Sequence, residues 1–356
     1  MKMMEYLSRA VHDGALDLFV IAGSRVSEKV EHEMRPVSEG VLQPKETSAL
    51  IGELYEIAGR SIEYSQTNKK DNFSLSVPNL ARFRVNIFRQ RGSLAAVIKV
   101  IQFGIPDPKE MMIPDSVMNL ADEKRGLILV TGLARSGKSV TQACLIERIN
   151  QTRNAHIVTI ENPIEFLFRN NKSIISQQEV FTDVENDMDA LKDCLMMAPD
   201  VIFLSEMDDV DVMREAIKAA ETGRLVITSL YSRNAVSAIE YIVQSFPDIQ
   251  RDRVRLQLSL TLKAIVVQEL LPGKDGGYLP AFDVVTVNSD IQRLIRENRV
   301  REIGAEAKSN GRNSTVTIDQ CVLAYFSKEL ITRDVALNYS VDPESMRKKL
   351  RVIDPF

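Results

Sequence analysis

Gly126-Leu127-Ile128-Leu129-Val130-Thr131-Gly132-Leu133-Ala134-Arg135-Ser136-Gly137-Lys138-Ser139 is an apolar strand running directly into a complete G-x-x-x-x-G-K-S loop. Those residue types at that spacing make a phosphate cradle. Glycines at 132 and 137 let backbone N–H groups turn inward around the β- and γ-phosphates of a nucleotide, Lys138 supplies a point charge, and Ser139 offers a hydroxyl to Mg²⁺. The helix expected from Val140 to Asn150 aims its positive end at the same anion. At average residue usage the bare pattern arises by chance in roughly one chain in a hundred of this length, and the flanking strand and helix make chance rarer. The candidate nucleotide-binding set is therefore Gly132, Leu133, Ala134, Arg135, Ser136, Gly137, Lys138, Ser139 and Val140.

Downstream of the loop, buried apolar runs alternate with helical patterns. Leu127–Val130, His156–Ile160, Val201–Leu204 and Leu225–Thr228 predict a parallel sheet covered on both faces, with its ligand site at the strands' C-terminal ends. Two carboxylates fall at such ends. Glu161, in Thr159-Ile160-Glu161-Asn162-Pro163-Ile164-Glu165-Phe166, either orients and deprotonates an attacking water or is a solvated loop carboxylate. Glu206 ends Asp200-Val201-Ile202-Phe203-Leu204-Ser205-Glu206, the place from which a P-loop NTPase holds Mg²⁺, whereas Asp200 opens that strand and caps it. After Pro247 an amphipathic segment reaches Leu262. Ala264–Leu271 and Tyr278–Val287 then flank Lys274-Asp275-Gly276-Gly277, a hairpin signal. The tail beyond Ser289 is charged and helical in pattern, with Ile291, Leu294 and Ile295 on one face.

Upstream, residues 1–102 mix short alternating segments with a helical pattern over Ala49–Ala58, as a small α/β domain would. Arg82-Phe83-Arg84-Val85-Asn86-Ile87-Phe88-Arg89-Gln90-Arg91 has period two, Phe83, Val85, Ile87 and, less strictly, Phe88 being apolar and four arginines forming a cationic face. Gly104-Ile105-Pro106-Asp107-Pro108 resists helix and sheet and reads as the interdomain linker, within 103–110. The chain's 356 residues are 44% hydrophobic, enough for two packed domains, and its net charge of −4 provides no global field for nucleic acid. Cys144, Cys194 and Cys321 are scattered, and His12, His32 and His156 have no metal-ligand spacing. Neither a secretory leader nor a run of about twenty apolar residues is present, which predicts a cytoplasmic protein.

The order of these motifs resembles the PilT-like motors of the type II/IV secretion ATPase superfamily, above all the type IV pilus retraction ATPases. Arg82–Asn86 with Arg89-Gln90-Arg91-Gly92 is similar to the arginine-bearing N-terminal strand, Glu161–Phe166 to the Asp box, Pro199–Asp209 to the Walker B segment, and Ala220-Glu221-Thr222-Gly223 to the approach to the His box. Leu258–Leu271 and Ile291-Gln292-Arg293-Leu294-Ile295-Arg296-Glu297 are similar to the C-terminal region, the latter to the motif needed for retraction. The resemblance implies a PAS-like N-terminal α/β domain (1–102), a RecA-like P-loop core (111–287) and a helical C-terminal region (288–356). It also implies a homohexamer at the inner face of the cytoplasmic membrane that hydrolyses Mg-ATP for pilus retraction and twitching motility, with a membrane platform protein and a paralogous pilus ATPase as partners and no nucleic acid. Arg82, Arg84, Arg89 and Arg91 would then act on the γ-phosphate as arginine fingers. Each is otherwise a surface charge, and two of the four are expected to serve.

The sequence departs from that pattern at informative places. Tyr231, in Ser229-Leu230-Tyr231-Ser232, stands where the His box carries histidine, and Asn162 stands for aspartate in the Asp box. Ser205 replaces a glycine and Asp208 an arginine in Walker B, and Arg135 replaces a glycine in the phosphate loop, a costly change if that residue needs φ > 0. Leu16-Asp17-Leu18-Phe19 lacks the usual serine and histidine. Lys138, Ser139, Glu161 and Glu206 are retained, so nucleotide binding with slowed turnover is expected. A low-turnover ring subunit assisting a paralogous motor is the alternative.

Overall fold

The computed structural model describes residues 2–30, 33–61, 70–101, 104–309 and 316–353. His32 and the Gln102 edge of the N-terminal domain lie outside them. The chain divides into two compact units, Met1–Gly104 with Glu165–Phe168, and Ile105–Ile164 with Arg169–Phe356.

The first unit is built on an antiparallel sheet of β1 (Asp17–Ile21), β2 (Ser27–Val30), β3 (Glu33–Pro36), β4 (Lys70–Val77), β5 (Ala81–Gln90) and β6 (Ser93–Ile101), ordered β3-β2-β1-β6-β5-β4. Helices Met3–His12 and Pro44–Ile57 lie against it. The second begins earlier than Ala49 because Pro44 opens its first turn and the Glu46 carboxylate accepts from the Gln43 N–H at 2.7 Å, signals that carry no apolar period. Leu50, Ile51 and Leu54 are buried with Leu18, Val20, Phe83, Val85, Ile87 and Ile98.

Along β5 the alternation of Phe83, Val85 and Ile87 against Arg82 and Arg84 holds, but the four arginines do not share one face. Arg89 falls on the parity of Phe83 and Ile87, past the core, and donates to the Gly92 carbonyl at 3.2 Å. Arg91 sits in the two-residue turn to β6, where it and Gly92 have φ of 49° and 81°, the left-handed pair a tight hairpin requires. Strict period two already separates Arg89 from Arg82 and Arg84, and Arg91 lies beyond the strand, where the period no longer applies.

The second unit carries a seven-stranded sheet ordered β13-β12-β7-β11-β10-β8-β9. Its strands are β7 (Gly126–Thr131), β8 (His156–Glu161), β9 (Ile174–Glu179), β10 (Val201–Leu204), β11 (Leu225–Leu230), β12 (Leu262–Pro272) and β13 (Tyr278–Thr286). All neighbours are parallel except the β12–β13 hairpin. This is a RecA-like order, with β7 between β11 and β12. Every residue of β7, β10 and β11 is buried, which is why they read as continuous apolar runs. Edge strand β9 is half-exposed, and its Ser176-Gln177-Gln178 centre shows neither alternation nor apolarity. Beyond β13 the chain is helical, and Ile291, Leu294 and Ile295 turn inward from helix Ser289–Arg296.

Candidate functional site

β7 ends in the middle of the sheet, and the loop that follows must turn tightly before helix Lys138–Thr152 can start. Gly132 takes φ of 153° and Gly137, the residue preceding the helix, 86°. Glycine is needed at both for space as well as for φ. A Cβ on Gly132 would collide with the Gln268 carbonyl oxygen and Ser136 Oγ, and one on Gly137 would stand 2.8 Å from Gln268 Nε2. Arg135 has φ of 63°. The loop therefore does require a left-handed residue here, and a non-glycine in that region costs roughly 1–2 kcal/mol.

Gln268, on β12, is the prop of the cradle. Its side chain is buried, and its Oε1 accepts from Thr141 Oγ1 at 2.7 Å, tying the first turn of the helix to the sheet. Sequence reading had passed over it, although a glutamine inside the apolar run Ala264–Leu271 is itself the signal, since a buried amide needs partners. Within the loop Ser136 Oγ is buried without a hydrogen-bond partner. Such an atom is costly unless a ligand completes it. The glycine-shaped cradle and this orphaned hydroxyl fit a phosphate group.

Lys138 Nζ donates to the carbonyls of Gly132 and Leu133 at 3.1 and 3.0 Å and stands 4.4 Å above the Tyr231 ring, within cation–π range. Glu206 lies in the same neighbourhood. Burial, then Asp208, raise its pKa above the ordinary carboxylate value, with Asp187 adding to them; Lys138 and a hydrogen bond with Tyr231 oppose the shift. Lys138, Glu206 and Tyr231, far apart in sequence, thus meet at the C-terminal ends of β7, β10 and β11. Ser139 and Val140 are half-buried in the first helical turn, while Leu133, Ala134 and Arg135 are exposed at the loop's apex.

Glu161 is not a solvated loop carboxylate. It ends β8 nearly fully buried, accepting from Thr159 Oγ1 at 2.6 Å and from Gln177 Nε2 at 3.0 Å, both at Oε1. Neighbouring strand ends are stitched together around it. The Asn162 N–H donates to Ser205 Oγ at 3.3 Å, and Ser229 Oγ donates to the Ser205 carbonyl at 2.6 Å. Ser205 thus gives β8 and β11 a shared anchor that glycine would offer only through its backbone. Asp200 caps as expected, accepting from the His156 N–H at 2.9 Å. Asp209, at the far end of the Walker B-like segment, caps helix Val210–Glu221. The four candidate arginines belong to the first unit.

Residues 2–318 match the family model described as "Type II/IV secretion system protein". This chain belongs to that family. It is 33% identical to the type IV pilus retraction ATPase PilT of Pseudomonas aeruginosa over 97% of this chain and 100% of that one, and 33% identical to the type IV pilus ATPase PilU of the same organism over 99% and 92%. A crystal structure of the pilus retraction motor PilT with bound ADP superposes with a TM-score of 0.88 at 36% identity, covering 98% and 99% of the two chains. The Legionella pneumophila ATPase DotB, at 22% identity and a TM-score of 0.78 over 94% and 93%, shares the fold. The protein is thus a PilT-like ATPase-family member with the α/β architecture that its motifs implied.

Two consequences are measurable. Gly132→Ala should weaken nucleotide binding at least about tenfold, ~1.4 kcal/mol, and lower the melting temperature, because the added methyl meets the β12 backbone; nucleotide titration and a thermal melt check both. The second concerns Glu206 in nucleotide- and metal-free protein. A carboxylate whose folded-state pKa is raised stabilises the fold below its unfolded pKa, and that contribution is lost as pH rises through the folded value. Glu206→Gln should therefore melt no lower than the parent at pH 8, and its advantage should shrink or vanish at pH 4, as thermal melts at the two pH values would read.

Proposed function

We propose that this chain is an ATP-hydrolysing motor subunit for type IV pilus retraction, assembled as a homohexamer and hence serving twitching motility. The observation that carries the reading is the meeting of Lys138, Glu206 and Tyr231 beside a glycine-built phosphate cradle, in a chain that is PilT-like over nearly its whole length. Ser139 and Glu206 would hold Mg²⁺, which when bound neutralises charge on the β- and γ-phosphates. Glu161, held at the end of β8 by Thr159 and Gln177, would orient and deprotonate the attacking water. Arg82 and Arg84, paired on one face of β5, are the arginines we assign to the γ-phosphate; Arg89 and Arg91 are committed to the end of the hairpin.

Among the described residues no helix is long and apolar enough to cross a membrane. From the likeness to PilT and PilU we infer a cytoplasmic ring held at the inner face of the cytoplasmic membrane by a platform protein, alongside a paralogous pilus ATPase of the kind PilU represents. One observation favours a lower-turnover variant of this reading, a ring subunit that assists the paralogue. Tyr231 stands where the family's histidine would sense the γ-phosphate, and a phenol stays neutral to about pH 10 and donates only one hydrogen bond.

Phosphate release by the purified chain tests both readings. Lys138→Ala should lower turnover by about a hundredfold or more, and Glu206→Gln should abolish hydrolysis with ATP still bound; unchanged turnover in either variant would remove the assignment. Stimulation by single-stranded DNA would point instead to a nucleic acid motor. Tyr231→His should raise turnover by about tenfold, the gain of one charge-assisted hydrogen bond over a neutral one. If the parent is already fast and the histidine variant no faster, Tyr231 serves the site in its own right.

A further inference from the structure

Arg135 combines two features that do not occur together at any other residue of the cradle. It is the loop's non-glycine residue in the left-handed region, φ 63°, where glycine would sit without strain. Its guanidinium is also uncommitted: the side chain is exposed, and it makes no hydrogen bond, ion pair or ring contact among the described residues. Lys138, the loop's other cation, is by contrast engaged by two loop carbonyls and the Tyr231 ring. A strained backbone position persists when the surrounding structure over-determines it, and such positions cluster where the side chain acts on a ligand. Acidic groups stand about Glu206 beside Lys138, since Asp208 and Asp187 both act on that carboxylate, as the lysine does. A terminal phosphate entering there meets several carboxylates, and a fixed cation beyond Lys138 and a bound Mg²⁺ would help to offset their charge.

We propose that Arg135 is a catalytic residue acting in cis: its guanidinium binds the γ-phosphate of the nucleoside triphosphate held in the same subunit's cradle and stabilises the charge that develops there during transfer to water. The proposal rests on the nucleotide-hydrolysing reading above. Arginine suits the role because its planar fork donates two parallel hydrogen bonds to phosphate oxygens and stays charged at every working pH. The position selects the γ-phosphate for a geometric reason. The backbone N–H groups of a loop of this kind cradle the inner phosphates more closely than the terminal one, which a long side chain leaving the exposed apex at Arg135 is able to reach. ADP, which lacks the group, should not feel Arg135. The site would then carry part of its γ-phosphate recognition within one subunit, so that hydrolysis depends less on arginines from the N-terminal half.

The test separates charge from backbone strain and from nucleotide binding as such. Arg135→Asn keeps a side chain tolerant of the left-handed region, and Arg135→Gly removes the strain altogether. Both should melt at a temperature no lower than the parent's. Both should lower kcat for ATP by at least tenfold and lose at least tenfold in affinity for a non-hydrolysable ATP analogue, while ADP affinity changes less than twofold. Arg135→Lys should recover part of the loss. Lys138→Ala is the contrasting variant, since it should weaken ADP and ATP alike. If Arg135→Asn and Arg135→Gly keep full kcat and analogue affinity, the residue is a surface charge and the proposal is overturned, with the cradle assignment standing on the Lys138 result. If they weaken ADP as much as the ATP analogue, Arg135 supports the loop and does not read the γ-phosphate, which also overturns it. Should Lys138→Ala leave both nucleotides unaffected, the hydrolytic reading fails and this proposal fails with it.

Discussion

The close approach of β12 to the phosphate loop is the constraint on which the rest of the site depends. With β7 between β11 and β12, the turn after Thr131 has to pass directly beside the β12 backbone, and the Gln268 carbonyl and amide occupy the volume that side chains at 132 and 137 would need. That contact fixes the loop's curvature before any ligand arrives. It also anchors the helix, because Gln268 holds Thr141 in its first turn. A phosphate therefore meets N–H groups that are already aimed, and the ordering cost of binding is reduced. The arrangement leaves Ser136 Oγ buried without a partner, a local penalty that a ligand oxygen can relieve.

Charge is organised round this frame in a way that only the tertiary structure displays. Lys138 turns back onto two carbonyls of its own loop, which take the place of the anion it is built to meet. Tyr231 contacts it from β11's end, and Glu206 faces both from the end of β10. Raising the Glu206 pKa disfavours an isolated carboxylate at this position, a cost that a cation from solution would offset. Ser205 links the strand ends that carry Glu161, Glu206 and Tyr231.

How much of this could be read from the chain depended on whether a signal was local. β7, β8, β10 and β11 were legible because a strand buried on both faces is a short apolar run with sharp ends, and the Asp275-Gly276 turn marked the β12–β13 hairpin. β9 was not, since an edge strand of Ser176-Gln177-Gln178 carries no pattern. Without β9 the alternatives for Glu161 stay open in the sequence: the residue is enclosed partly by Gln177, which only sheet order brings beside it. Gln268 is a similar case, a polar residue whose purpose appears only when Gly132 and Gly137 stand against it. Among the arginines of β5, alternation groups Arg82 with Arg84 and, counted strictly, puts Arg89 on the parity of Phe83 and Ile87, while Arg91 lies in the left-handed turn at Arg91-Gly92 where the strand has ended.

Two departures from the family pattern alter the electrostatics of one site in opposite senses. Tyr231 removes a side chain able to become cationic near neutral pH and puts in its place a ring that holds the lysine from above. Arg135 adds a permanent cation at the apex of the loop and accepts backbone strain to do so. Their effects do not cancel in kind. A histidine beside a phosphate can gain charge near neutral pH, whereas a phenol offers one hydrogen bond and a guanidinium a charge with a fixed donor fork. At these two positions the site exchanges a side chain that can change charge for a hydrogen-bond donor and a fixed cation, and the group here whose ionisation its surroundings shift is Glu206.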